Sequence, residues 1–304
     1  MLAMNAAART PSHRGWVRAD PPGRPVLFIN PMSGGGKAGR VRLAEAARER
    51  GIEAVVLTAS DDLAALVERA VADDADALGM AGGDGSLAVV ASAARTHRLP
   101  FVCIPAGTRN HFARDLGVAP DDLVGALDAF TDGVERSIDV GEVNGRLFLN
   151  NVSLGIYGAA VQQASYRSAK ARTLFETAAE VLGPSAELPG VRLVDDLGVV
   201  HTDPAVVLVS NNPYALQRPG RPGMRPALDS GQLGIMVLHR PGHARHGPGR
   251  GWTTSLLEVT AAQPVAAGLD GEAIHLTPPL HFAIGPKELR VRIPSATRSV
   301  RDRR

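Results

Sequence analysis

The sequence predicts an α/β half built on a parallel sheet, followed by a mostly antiparallel β half. Three observations predict it. Short apolar runs alternate with helix-period stretches over residues 26–131, the pattern of parallel strands covered on both faces. Gly-rich turns follow three of those runs, at 30–36, 82–86 and 105–110, and in such sheets ligands bind beyond the carboxyl ends of the strands. After about residue 135 the texture changes to short apolar runs parted by Gly, Pro, Asn and Asp, as in antiparallel strands and turns.

Residues 1–24 are rich in Pro, Arg and Ala without a period, so they read as a flexible leader. Residues 26–29 form a strand of the buried type. A helix is expected from about Arg40 to Arg50, stopped by Gly51. Residues 54–57 make a second strand. Asp61 is positioned to cap the next helix, whose Leu63, Leu66, Val67 and Ala70 share one face. Residues 77–80 are a weaker third strand that leads into another helix. Residues 101–104 are a fourth, stopped by Pro105, and Leu123, Ala126, Leu127 and Phe130 repeat helical spacing. Later strand candidates are 147–149, 191–194, 206–209, 233–238, 280–284 and 289–293. One helical stretch is expected at 159–182, and Pro/Gly/Arg loops at 217–223 and 239–251.

The chain has 304 residues and a mass of 31.8 kDa, room for two compact domains. Its composition, 44% hydrophobic and 21% charged, rules out wholesale disorder. No run of 18 uncharged apolar residues exists, so no spanning helix is expected, and the start lacks the apolar core of a signal peptide. The single cysteine, Cys103, excludes an intramolecular disulfide and a cysteine-rich metal site. The expected compartment is the cytoplasm. The formal charge of +2 hides an asymmetry: residues 287–304 carry seven basic and two acidic side chains, residues 1–24 four basic and one acidic, and the body is net acidic. A nucleic-acid-binding core would carry its basic residues on the folded body, so none is expected. The basic end offers peripheral contact with the inner face of a membrane, at about 1 kcal/mol per residue near an anionic surface. The blander reading, a solvated tail in an Arg-rich protein, is preferred. Nothing fixes an oligomeric state, and a homodimer is compatible.

The first turn is Asn30-Pro31-Met32-Ser33-Gly34-Gly35-Gly36-Lys37. Small residues after a strand let backbone N–H groups approach phosphates. It is not a P-loop, since Ala38 follows the lysine. Gly34, Gly36 and Gly39 satisfy G-x-G-x-x-G, but Thr58 and Ser60 stand where a dinucleotide fold wants an acid after its second strand. In the second turn, Gly82, Gly83 and Gly85 leave Asp84 on an approachable bend, where its carboxylate can face Mg²⁺ and Ser86 can donate to a phosphate. The competing reading is a helix turn capped by Asp84. The third turn sets Thr108 and Asn110 beside Gly107, with Arg109 and Arg114 near enough in sequence to meet a phosphate. Three such turns at one sheet edge favour a ligand. His239, His243 and His246 have metal-like spacing but lie in an Arg/Pro/Gly loop without a neighbouring carboxylate, and no metal is expected there. The apolar stretch 156–161 reads as ordinary core rather than the border of a lipid cleft.

Taken in order and spacing, NPMSGG, GGDGS and PAGTRNHFAR resemble the diacylglycerol-kinase catalytic domain, a family that includes soluble bacterial lipid kinases and the sphingosine and ceramide kinases. Asn150-Asn151-Val152-Ser153-Leu154-Gly155, Leu269-Asp270-Gly271-Glu272, Pro279-Leu280 and Leu289-Arg290-Val291 extend the resemblance over about residues 25–294. It implies an NAD-kinase-like nucleotide domain, expected at 25–134, and a β-sandwich lipid domain, expected at 135–294, with an active site between them; residues 295–304 remain as a basic tail. It also implies ATP, Mg²⁺ and a lipid alcohol, most simply diacylglycerol. By position, Asn30, Pro31, Ser33, Gly34, Thr58, Gly82, Gly83, Asp84, Gly85, Ser86, Gly107, Thr108 and Asn110 would line the nucleotide. Asp84 would serve the metal–phosphate cluster and Glu272 would be the general base. Asp229 is a further metal-ligand candidate, one residue before the family's aspartate position, where Ser230 stands. Two more departures are Ser86-Leu87-Ala88-Val89 in place of Thr-Leu-Asn-Glu, and His111 in place of the third turn's Asp. GGDG alone is shared with NAD kinases, so an NAD kinase-like enzyme is the alternative; a catalytically silent nucleotide- or lipid-binding relative is another.

Overall fold

The computed structural model describes residues 15–155, 190–214, 225–239 and 249–296. The expected helix at 159–182, the stretch 156–161, the loop 217–223, and His243 and His246 lie outside the described residues.

The first half contains β1 (Val17–Ala19), β2 (Pro25–Ile29), β3 (Glu53–Val56), β4 (Ala77–Ala81) and β5 (Phe101–Ile104). Between and after them run α1 (Lys37–Arg40), α2 (Leu43–Arg48), α3 (Leu63–Ala72), α4 (Asp84–Thr96), α5 (His111–Leu116), α6 (Leu123–Ala126) and α7 (Asp128–Thr131). Strands β3, β2, β4 and β5 pair in that order and in parallel. Every residue of β2, β4 and β5 is buried, as expected of strands covered on both faces. Gly79 weakens β4 as a sequence signal, yet it is needed: a Cβ there would come 2.6 Å from the Phe130 ring.

The second half contains β6 (Gly133–Val143), β7 (Arg146–Phe148), β8 (Asn151–Gly155), β9 (Arg192–Val194), β10 (Val200–Thr202), β11 (Val206–Asn211) and β12 (Leu233–Leu238). After these come β13 (Gly249–Thr254), β14 (Leu256–Thr260), β15 (Val265–Leu269), β16 (Glu272–Leu276) and β17 (Leu280–Pro294). One sheet has the order β13-β12-β11-β8-β15-β16, antiparallel throughout. The other joins the two halves. Its path is β10-β9-β14-β17-β5-β4-β2-β3, with β6 also on β17. The predicted class, a parallel α/β half followed by a mostly antiparallel β half, is what the chain adopts. One apolar core packs the helices on the parallel strands. A second, with Phe148, Trp252 and Phe282, fills the space between the antiparallel layers.

Several elements differ from expectation for local reasons. The helix expected over 40–50 is broken, because Arg42 adopts a left-handed conformation (φ 50°) between α1 and α2. Asp62, not Asp61, caps α3: its carboxylate accepts the Ala64 and Ala65 N–H groups at 3.0 and 3.2 Å. Asp61 instead accepts the Thr58 N–H at 2.7 Å. Residues 280–284 and 289–293 belong to one strand, β17, because Gly285-Pro286-Lys287 is a bulge that shifts the register with β6 without ending it. Within the leader, residues 17–19 pair with β6 as β1. Residues 249–251 open β13 rather than closing a loop. No helix among the described residues is long and apolar enough to cross a membrane.

Candidate active site

The three Gly-rich turns meet at the carboxyl ends of β2, β4 and β5. The first is held to its neighbour strand by Asn30, whose N–H donates to the Ala81 carbonyl at 2.9 Å; its side-chain Oδ1 accepts the Met32 N–H at 3.0 Å. Pro31 is half-buried beside it, and Ser33 and Gly34 form a tight turn. Gly34 has φ +57°, and a Cβ there would overlap the Ala106 carbonyl oxygen and lie 3.2 Å from that of Gly107. The third turn touches the second in turn: a Cβ on Gly107 would come 3.1 Å from the Gly82 oxygen and the Gly83 Cα. These glycines are where two backbones approach too closely for any side chain.

Other members of the set lie around this junction. Asn110 precedes α5 with φ 51° and donates its Nδ2 to the Pro105 carbonyl at 2.9 Å. Thr108 is exposed. The Ser86 hydroxyl donates to the Gly83 carbonyl at 2.9 Å, so its proton is committed within the turn. Thr58 lies at the outer end of the row, after β3, with its hydroxyl 3.1 Å from that of Ser60. Helix α4 starts from Gly83 without a side-chain cap, which leaves first-turn N–H groups and the positive end of the helix facing the junction.

The late D-G-E segment arrives from the other half. Asp270 and Gly271 both have positive φ (49° and 89°) and form the two-residue turn between β15 and β16. That turn swings Glu272, the first residue of edge strand β16, across the interface. Its carboxylate lies against Gly85, the second residue of α4: a Cβ on Gly85 would overlap Oε1 and Cδ of Glu272 and stand 2.6 Å from Oε2. The Arg109 guanidinium is on the same side, 3.8 Å from where a Gly271 Cβ would be.

Asp84 sits at this point of convergence. Its Oδ1 is buried and has no hydrogen-bond partner. Burial raises its pKa above the ordinary carboxylate value, opposed by His111, by a hydrogen bond from the Asn150 side chain, and by Arg225 and Arg109. Burial likewise lowers the His111 pKa, against the attraction of Asp84. Beneath the site, burial pushes the Cys103 thiol up, and the charge of Asp84 adds to it. Asp270 is pushed up to about 7, first by burial and then by Asp84, although its carboxylate accepts three N–H groups, from Leu149, Asn150 and Asn151, at 2.7, 2.7 and 3.0 Å.

An orphaned buried carboxylate oxygen at the start of α4, one residue from the glycine that seats the Glu272 carboxylate, suits an oxygen-seeking divalent cation such as Mg²⁺. Asp229 is not part of that set. It pairs with Arg136 at 2.5 Å. The neighbouring Asp139 has both oxygens occupied, by the Gly231 N–H at 2.7 Å and the Lys287 N–H at 2.9 Å. His239 is engaged with His201, whose Nδ1 lies 2.9 Å from its Nε2. No group of three or more metal-ligating side chains occurs among the described residues.

Residues 24–143 match the family pattern described as the diacylglycerol kinase catalytic domain. The family pattern covers about two fifths of the chain. The family resemblance read from the motifs therefore holds. Curated proteins of Staphylococcus aureus strains JH9 and Newman, both named diacylglycerol kinase, are 34% identical over 131 residues. The match covers 42% of this chain and spans 40% of the length of those relatives. The fold is also that of a crystal structure of a diacylglycerol kinase from Bacillus anthracis str. Sterne. That likeness covers 91% of this chain and 99% of the other, at 20% identity and a TM-score of 0.65. It extends beyond the family segment into the antiparallel half, where Glu272 lies.

Sequence reasoning left four residues without a role. Asn150 was legible as part of a motif, and Asp270 as a turn former. Arg225 and Asp115 carried no signal, because each reads as solvated surface in its local sequence.

Proposed function

We propose that the chain is a lipid kinase that moves the γ-phosphoryl group of ATP, with Mg²⁺, onto the hydroxyl of a lipid alcohol, most simply diacylglycerol. In this reading residues 25–134 bind the nucleotide and residues 135–294 receive the lipid. In the same reading the enzyme works in the cytoplasm. The observation that carries the reading is the seat of Glu272 on Gly85. A general base delivered by one half rests on the phosphate-turn helix of the other.

The chemistry follows from that placement. Backbone N–H groups of the three turns and the N-terminus of α4 hold the phosphates. Mg²⁺, when bound, offsets the charge on the phosphate oxygens, and Asp84 Oδ1 is the oxygen available to it. Glu272 takes the proton of the lipid hydroxyl as its oxygen bonds to the γ-phosphorus. The bond to the bridging oxygen breaks, and ADP leaves with that electron pair. The protein's contribution is position and charge, which suits phosphoryl transfer.

The test is transfer of label from γ-labelled ATP with Mg²⁺ into mixed micelles that each carry one candidate: diacylglycerol, monoacylglycerol, sphingosine, ceramide or undecaprenol. NAD is included as the control acceptor. Label in a lipid, lost by about 10²-fold or more in Glu272→Gln with ATP affinity kept, supports the reading. Label in NAD, or ATP binding without any acceptor, overturns it.

A further inference from the structure

Asn150 is held from two sides by residues far away in sequence. Its backbone N–H donates to Asp270 at 2.7 Å. Its side-chain oxygen accepts from Arg225 Nη2 at 2.9 Å. Arg225 is 3% exposed and divides its donors between this turn and the elements around it: Nη1 donates to the Leu149 carbonyl at 2.5 Å and to the Asn211 carbonyl at the end of β11 at 2.8 Å. Its Nε pairs with Asp115 of α5 at 2.7 Å. Asp115 also accepts the Arg225 backbone N–H, at 3.3 Å. The guanidinium thus ties the helix that follows the third Gly-rich turn to the strand turn carrying Asn150.

That arrangement removes an ambiguity. An asparagine amide can usually be turned end for end. A guanidinium has donors only, so the amide oxygen must face Arg225 and the amide NH₂ must face the other way. On that other side is the Asp84 carboxylate, whose charged form the Asn150 side chain favours. Its Oδ1 is left without a partner.

We infer that Arg225 is a positioning residue which, by orienting the Asn150 amide, turns its NH₂ toward the Asp84 carboxylate and leaves Asp84 Oδ1 for a divalent cation. The inference rests on the reading of Asp84 as the cation ligand. Outer partners that orient a metal ligand commonly change metal affinity by about 10–100-fold. Lysine cannot replace this arginine, since a point charge on a flexible stem lacks the planar fork that reaches four acceptors together.

The experiment uses the full chain and Mn²⁺ alone, with binding read by electron paramagnetic resonance and folding by thermal melt. Arg225→Lys and Asn150→Ala are each expected to weaken Mn²⁺ binding by about tenfold, and the double variant no further, because both act through one hydrogen bond. Asn150→Leu guards against a folding defect in the arginine variant. It keeps the side-chain volume, removes the amide without adding a charge or a cation ligand, and is expected to show the same tenfold loss. Losses that multiply in the double variant, or full affinity in Arg225→Lys or Asn150→Leu, overturn the inference. A wild-type chain that binds no Mn²⁺ overturns it together with the ligand role of Asp84. Mn²⁺ binding that follows the expected pattern without label transfer to any lipid supports the inference and overturns the proposed acceptor alone.

Discussion

Gly85→Ala separates folding from catalysis within a single methyl group. The three atoms nearest to a Cβ at Gly85 all belong to the Glu272 carboxylate. With Oε1 and Cδ overlapped, ordinary contact is restored only if the carboxylate retreats by about 1 Å or more. Glu272 is exposed on an edge strand, so the side chain can swing outward without moving backbone. Alanine is also the better helix former, by up to about 1 kcal/mol. The expected result is an unchanged or raised Tm together with a large loss of turnover. A misplacement of about 1 Å costs on the order of 10²-fold, or about 2.7 kcal/mol of barrier, and the ceiling is the full value of a general base, about 10⁴-fold. The assay is kcat for label transfer alongside a thermal melt and an ATP-binding isotherm. A kcat within about threefold of wild type, in a variant that folds and binds ATP, would refute the placement of the base on α4.

Two further outcomes test the scaffold. Asp270→Asn replaces one of the two oxygens that together accept three N–H groups with an amide donor, and is expected to cost about 1–3 kcal/mol in urea denaturation at pH 8. The wild-type Asp270 holds its proton to about pH 7 when folded but only to its ordinary value of 3.8 when unfolded. The native state therefore binds more protons in that window, and this group's contribution to stability falls as pH rises from about 4 to 7. The asparagine variant should lack that slope, and an identical slope in both proteins would contradict it. Gly34→Ala forces a side chain into a left-handed residue and onto the Ala106 carbonyl. It should lower Tm by about 5 °C, from a cost of about 1–2 kcal/mol for the conformation alone, and weaken ATP binding. An unchanged melt would mean that the first and third turns are not in contact.

Much of the parallel half was legible because its signals are local. β2 and β5 are unbroken apolar runs, and a strand buried on both faces leaves no other pattern. The Gly-rich turns were legible for a related reason, since close approach of backbones demands glycine. The break at Arg42 was not, because an arginine in a left-handed conformation looks like any helical arginine. Strand β17 was read as two, because Gly285-Pro286-Lys287 has the composition of a turn and only the pairing with β6 makes it a bulge. In the site, Asp84 and Glu272 were picked out by motif, but their meeting depends on a turn 185 residues downstream of Gly85. Arg225 and Asp115 form a buried pair across 110 residues, and a charged residue in a loop is ordinarily solvated.

Strand β17 also governs how the chain can be made. Phe101 of β5 finds its partner at Val291, so one edge of the parallel sheet remains bare until nearly the whole polypeptide has emerged. Such distant pairing is slow to form, and an unpaired strand edge is a template for association with other chains. A fragment ending near residue 143, though it contains the entire family segment, would expose that edge permanently. Expression of the isolated nucleotide half should therefore yield aggregates, and supplying residues 249–296 as a second polypeptide should restore a discrete, soluble complex.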